Sequence, residues 1–144
     1  MKTLDLRTAS LTPSLYRLGT SVKIKLNCDH KIIETDTCGQ IREILSGGEH
    51  PNLDLALAID IHPTKAHVHN TFDEIYFVLD GSITLKTFDP SNGARVEHQL
   101  QANELCLISK GVHHQITHSS EKNRLCVIST PRWVAEDEHS SDLI

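Results

Sequence analysis

The sequence predicts an all-β domain, and three observations carry that prediction. Alternating apolar and polar residues, the period of a strand with one buried face, recur from residue 53 onward. Glycine-, proline- and asparagine-containing breaks punctuate these runs at close, regular spacing, the pattern of a sandwich or barrel. The length of 144 residues suits one compact domain with a single core.

The first fifty residues are the least decisive. LTPSLYRLG is compatible with a short helical turn, SVKIKL alternates, and KIIET and QIREIL are brief apolar runs suited to edge strands. SGGEHPN then breaks the chain ahead of the strongest strand signal, LDLALAIDI. That run sets Leu53, Leu55, Leu57, Ile59 and Ile61 on one face and Asp54, Ala56, Ala58 and Asp60 on the other, a half-buried strand. EIYFVL, a turn at Asp80 and Gly81, and SITLKTF read together as a hairpin of adjacent antiparallel strands. DPSNG is a second strong turn, after which RVEHQL, ELCLIS, HHQITH and NRLCVIST supply further short strands. The tail VAEDEHSSDLI is acidic and polar, as expected of a surface segment or a partly disordered end.

A hydrophobic fraction of 38% with 23% charged residues fits a soluble globular chain rather than a disordered one. The net charge of −5 argues against a nucleic-acid partner. No apolar run is long enough to span a bilayer, and MKTLDLRTASLTPSLYRLGT lacks the apolar segment of a secretion signal, so cytoplasmic residence is expected. Cys28, Cys38, Cys106 and Cys126 include no CxxC pair, which leaves neither a zinc knuckle nor a redox motif. Cys106 and Cys126 lie in apolar runs, where a reduced thiol acts as a small hydrophobe. A Cys28–Cys38 disulfide is geometrically possible, with no sign of an oxidising compartment.

The chemistry concentrates in HPTKAHVHNTFDEIYFVLDG, residues 62–81. Period two puts His67 and His69 on one side of a strand, about 6 to 7 Å apart along it. If NTFD makes a bend, the Glu74 carboxylate on the next strand returns to the same place. Downstream, His114, Ile116 and His118 share a parity, whereas His113 points the other way. Each feature also has an ordinary explanation: Lys65, His67 and His69 as a solvated strand face, Asp73 and Glu74 as loop acids, and His62 as a rim residue. The conjunction favours a site: HxHxxxxExxxxxxG from His67 to Gly81, followed by GxxH from Gly111 to His114.

Those two motifs resemble the signature motifs of the cupin superfamily, over residues 61–118. The resemblance implies a double-stranded β-helix, a small jelly-roll barrel, with His67, His69, Glu74 and His114 holding a divalent metal inside. It further implies one domain over 1–144, its barrel at about 20–132, with N-terminal and acidic C-terminal extensions. Ile61, Ser109 and His118 stand where the family pattern has glycine, proline and asparagine. The four ligand positions match it.

Three imidazoles and a carboxylate suit Fe, Mn, Co, Ni, Cu or Zn. Around a six-coordinate ion they leave two positions for water, substrate or dioxygen. The expected activity is therefore metal-dependent chemistry on a small polar or anionic metabolite: an isomerase or lyase of carbonyl-bearing sugars or acids, or a non-haem iron dioxygenase. A non-catalytic small-molecule-binding or sensor barrel is the alternative. Tyr76, on the parity of Glu74, is a candidate acid or substrate hydrogen-bond donor, or a packing residue. Arg42 is a candidate for binding an anionic group, or an exposed strand arginine. His118 is read as a partner of a ligand, a substrate contact or a satisfied core histidine. The stretch STPRWVAEDE resembles the exit strand of small cupins, with Trp133 over a barrel end or in a subunit contact, and a homodimer is implied by the same resemblance.

Overall fold

The computed structural model describes residues 23–26, 30–35 and 39–144. The turn expected over LTPSLYRLG and the Cys28–Cys38 pairing fall outside them. The chain divides into Met1–His30 and Lys31–Ile144, and the architecture below belongs to the second unit. In the first, Lys23–Leu26 carry no regular strand.

Among the described residues eleven strands run in chain order: β1 (Lys31–Thr35), β2 (Gly39–Leu45), β3 (Asp54–Ile59), β4 (His67–Val68), β5 (Asp73–Asp80), β6 (Ser82–Asp89), β7 (Ala94–Gln101), β8 (Leu105–Ile108), β9 (His113–Ser119), β10 (Arg124–Thr130) and β11 (His139–Ser140). They form two antiparallel sheets, ordered β1-β2-β3-β10-β5-β8 and β11-β4-β9-β6-β7. The result is a jelly-roll, the double-stranded β-helix that the two motifs imply. None of the described helices is long and apolar enough to cross a membrane.

The core lies between the sheets. Ile41, Ala58, Tyr76, Val78, Ile108 and Leu125 project from the first, and Ile83, Leu85 and Ile116 from the second. On β5 the alternation is clean: Glu74, Tyr76 and Val78 are buried, while Ile75, Phe77 and Leu79 between them are half-buried on the outer face. On β3 the small face points inward. Ala58 is buried and packs in the core, whereas Leu55 and Leu57 pair with Ile128 and Cys126 on the outer face. The register with β10 decides this, because Ala58 opposes buried Leu125. Asp60, at φ 49°, then breaks the alternation, and Ile61 returns to the interior.

Three expectations are corrected. β5 and β6 are consecutive but belong to opposite sheets, so EIYFVL and SITLKTF are not a hairpin; the hairpin is β6–β7 across DPSNG. Gly81, at φ +74°, turns the chain from one sheet to the other, where a Cβ would stand 2.3 Å from the Lys122 carbonyl and the Ser120 hydroxyl. Cys126 lies on the outer face rather than in the core, although burial raises the pKa of both Cys106 and Cys126 and so disfavours their thiolates. The acidic tail is the exposed surface segment expected, but not a disordered end: Ala135–Asp137 form a 3-10 turn and β11 pairs with β4.

Candidate metal centre

Three strands and the loop after β4 deliver four side chains to one point. β4 begins with His67, His69 follows it directly, β5 supplies Glu74 and β9 supplies His114. His67 and His114 are direct cross-strand partners, so the pairing of β4 with β9 brings these two imidazoles together. One ligand atom from each of the four residues lies within 4.8 Å of the others. All four side chains are buried, with relative exposures of 1 to 3%.

The second nitrogen of each ring identifies the purpose. His67 Nδ1 faces the Lys65 carbonyl at 3.1 Å, His69 Nδ1 the Asp137 carbonyl at 3.1 Å and His114 Nδ1 the Val112 carbonyl at 3.0 Å. A carbonyl only accepts, so each Nδ1 carries the proton and donates it. In the neutral rings every Nε2 is then a lone pair aimed at the cluster. The Glu74 carboxylate adds more acceptors, 3.1 Å from His114 Nε2 and 3.6 Å from His69 Nε2. Converging acceptors repel unless a proton or a cation sits among them. His67 Nε2 is buried without a hydrogen-bond partner, an orphan that a metal ion would satisfy. The donor set therefore fits a divalent metal.

With no cation among them, the same acceptors compete for protons. Burial pulls His67 down to about 4, so it stays neutral near pH 7. Burial acts on His69 in the same direction, but the Glu74 carboxylate beside it more than reverses the effect and raises it. Burial pushes Glu74 upward, but the adjacent His114 and His69 rings outweigh it and hold the carboxyl below its ordinary range.

Neighbours hold the ligands in place. Phe72, 1% exposed, stacks on the His69 ring with centroids 4.2 Å apart. The Gly111 N–H donates to the His69 carbonyl at 2.6 Å, tying the turn before β9 to the ligand loop. Asp137 was not singled out as a site residue from the sequence, and its signal there is only one acid in an acidic tail. Its carbonyl nonetheless accepts from His69, and its carboxylate accepts from the N–H groups of Asn70 and Thr71 and from the Thr71 hydroxyl.

Other candidate residues divide. Tyr76 is 2% exposed on the inward face of β5, its ring centroid 6.2 Å from that of His114. Arg42 is not brought to the cluster. It opposes Leu57 on β3 and lies on the outer face, because its neighbour Ile41 takes the inward position opposite Ala58. His118 is also outside the barrel: it is exposed, and its Nδ1 is 3.1 Å from the Thr117 hydroxyl. A β-bulge is the reason. Ile116 opposes Leu85 and His118 opposes Thr84, so Thr117 is an extra residue that reverses the parity linking His118 to His114. His62 is exposed, as expected of a rim residue, and His113 turns away to meet the Ser141 hydroxyl at 2.7 Å. Asp73 opens β5 and accepts the Lys110 N–H. Trp133 is 37% exposed and donates its backbone N–H to Asp54.

No protein-family model and no curated protein matches the chain. Solved structures do. The chain is similar to oxalate decarboxylase from Bacillus subtilis, in a structure concerned with its Mn(II) centres, at 17% identity and a TM-score of 0.65 over 78% of this chain. It spans only 30% of that longer protein. A protein from Planctomyces limnophilus is similar at 18% identity and a TM-score of 0.66, covering 82% of this chain and 96% of its own. KdgF from Halomonas sp. is similar at 15% identity and a TM-score of 0.62, covering 78% and 96%. With two facing antiparallel sheets and a buried group of three histidines and one glutamate that can hold a divalent metal, this chain has the cupin fold.

Proposed function

We propose that this protein is a metal-dependent enzyme acting on a small polar or anionic metabolite, by isomerase or lyase chemistry on a carbonyl-bearing acid or sugar. The observation that carries the proposal is the convergence of three Nε2 lone pairs and one carboxylate, each ring oriented by a carbonyl behind it. A divalent metal held there supplies Lewis acidity, polarising a carbonyl or carboxylate oxygen and lowering the pKa of bound water. His67, His69, Glu74 and His114 would hold it, the Glu74 carboxylate offsetting part of its charge. Tyr76, two residues along the same inward face, is the group assigned to hydrogen-bond a substrate oxygen. Burial of all four ligands lowers the local dielectric, which strengthens each electrostatic contact. The similarity to an oxalate decarboxylase supports small carboxylates as the first substrates to try.

The test is elemental analysis of the purified protein, followed by turnover of a panel of small keto and hydroxy acids and sugars. Stoichiometric transition metal, lost in His67→Ala and His114→Ala, with product formation dependent on Glu74, is the expected result. A protein that takes up no metal would overturn the metal reading. Binding of a panel member with thermal stabilisation and no turnover would replace the enzyme with a binding module. Iron as the resident metal, with oxygen uptake, would redirect the chemistry to a dioxygenase.

A homodimer in the cytoplasm is part of the same proposal. The outer face of the first sheet supports the dimer: Leu105 and Leu107 on edge strand β8 are 56 and 57% exposed beside Ile75 and Phe77 of β5. Leu105→Lys with Leu107→Lys is expected to give monomers by light scattering. An unchanged mass would remove that face from the reading.

A further inference from the structure

We infer that Asp137, on the segment after the barrel, is the positioning residue of His69, and that residues 135–141 are a working part of the metal centre. The inference rests on the metal-binding reading above. Asp137 grips its ligand from two sides. Its main-chain carbonyl accepts the Nδ1–H of His69 at 3.1 Å, which sets the tautomer and aims Nε2 at the cluster. Its carboxylate accepts the Asn70 N–H at 3.0 Å, the Thr71 N–H at 2.8 Å and the Thr71 hydroxyl at 2.6 Å, pinning the two residues that follow His69. The carboxylate therefore fixes both the backbone of the ligand loop and the place of the carbonyl that orients the ring.

The rest of the segment repeats this attachment. His139 and Ser140 of β11 pair with Val68 and His67, and the Ser141 N–H donates to Ala66 at 3.0 Å. The Ser141 hydroxyl lies 2.7 Å from His113 Nδ1, one residue before the ligand His114. His139 Nε2 stands 3.2 Å from the Asp137 carboxylate and completes the grip. β4 is only two residues long and has a single registered partner on β9, so β11 supplies its second sheet neighbour. A strand this short, carrying the ligand His67 and leading directly into His69, depends on that neighbour for its orientation.

The experiment is titration of the metal-free full-length chain with Co(II), reading affinity by chelator competition and coordination by the visible d–d spectrum. The wild-type chain is expected to bind one Co(II). Asp137→Asn, which keeps the volume but removes the charge and sets an NH2 donor against the Asn70 N–H where Oδ1 accepted it, is expected to bind it about 10- to 100-fold more weakly with an altered d–d spectrum. Thr71→Val is the second variant, at an exposed residue whose change leaves the core untouched. It is expected to lose several-fold in Co(II) affinity, and Thr71→Ser, which restores the hydroxyl, is expected to recover it. Wild-type affinity and spectrum in folded Asp137→Asn, or in Thr71→Val should Asp137→Asn not fold, would overturn the inference, since a purely structural strap would lower the melting temperature alone. A wild-type chain that takes up no Co(II) would instead overturn the metal-binding reading on which it rests.

Discussion

The two ends of strand β5 each hold a buried polar cluster, and the two clusters are balanced differently. Beyond the Asp80 end, Asn123, 1% exposed, accepts the Ile61 N–H with Oδ1 and donates through Nδ2 to the Ile61 and Ser120 carbonyls. Asp60 and Asn123 also exchange backbone contacts, Asp60 N–H to Asn123 carbonyl and Asn123 N–H to the Asp60 carboxylate. Donors and acceptors match, so the cluster is complete within the protein. At the Glu74 end the matching fails: acceptors accumulate, and His67 Nε2 has no partner. A buried polar group that closes on itself is part of the architecture, whereas one with a surplus of a single kind is built for something else.

Substitutions that separate the two ends put this contrast at risk. Asn123→Ala strips three hydrogen bonds from buried backbone and is expected to lower stability by about 3 kcal/mol or more in urea unfolding, while leaving Co(II) affinity within about twofold in the folded protein. Equal losses of affinity and stability would show that the two ends are not independent. Metal addition is the converse: at 100 times its dissociation constant it is expected to add about 2.7 kcal/mol of stability to the wild-type chain and none to His67→Ala. Stabilisation that persists in His67→Ala would locate the ion elsewhere.

Gly81→Ala comes next. A positive φ and a Cβ 2.3 Å from the Lys122 carbonyl predict a loss of about 2 kcal/mol, read from the unfolding midpoint, with metal uptake preserved. The smallest effect is expected at the surface. Asp60 pairs with Lys122 at 2.9 Å, and that hydrogen bond, with the Asn123 N–H, holds its carboxyl below the ordinary 3.8. A depressed carboxyl stabilises the fold above its unfolded value and loses that contribution as pH falls through the folded one. Asp60→Asn should thus matter only above about pH 4 and vanish in high salt. A salt-independent loss would assign the effect to the Asn123 N–H bond instead.

Strands β5 to β10 were legible because each carries its own alternation and its own turn signals. The ligand set was legible because the spacing of His67, His69, Glu74, Gly81, Gly111 and His114 survives as a linear pattern. Other expectations failed where local period was extended across a break. His118 keeps the parity of His114 on paper, but the extra residue Thr117 turns it outward. The hairpin expected at Asp80 and Gly81 fails because the turn is a corner between sheets, and its glycine is required by Lys122 and Ser120, far along the chain.

By itself, then, the sequence determined the element type, most strand positions and the four side chains that could hold a metal, all properties of short range or fixed spacing. Tertiary structure alone decided which face of β3 is inside, which sheet receives β6, and that the acidic tail folds back onto the ligands. Asp137 reaches Thr71, Asn70 and His69 across sequence separations of 66, 67 and 68 residues. No local propensity encodes such a contact. It exists because the barrel brings the end of β10 beside the loop after β4, where His69 offers an N–H and the next two residues offer three more donors, with one carbonyl and one carboxylate to receive them.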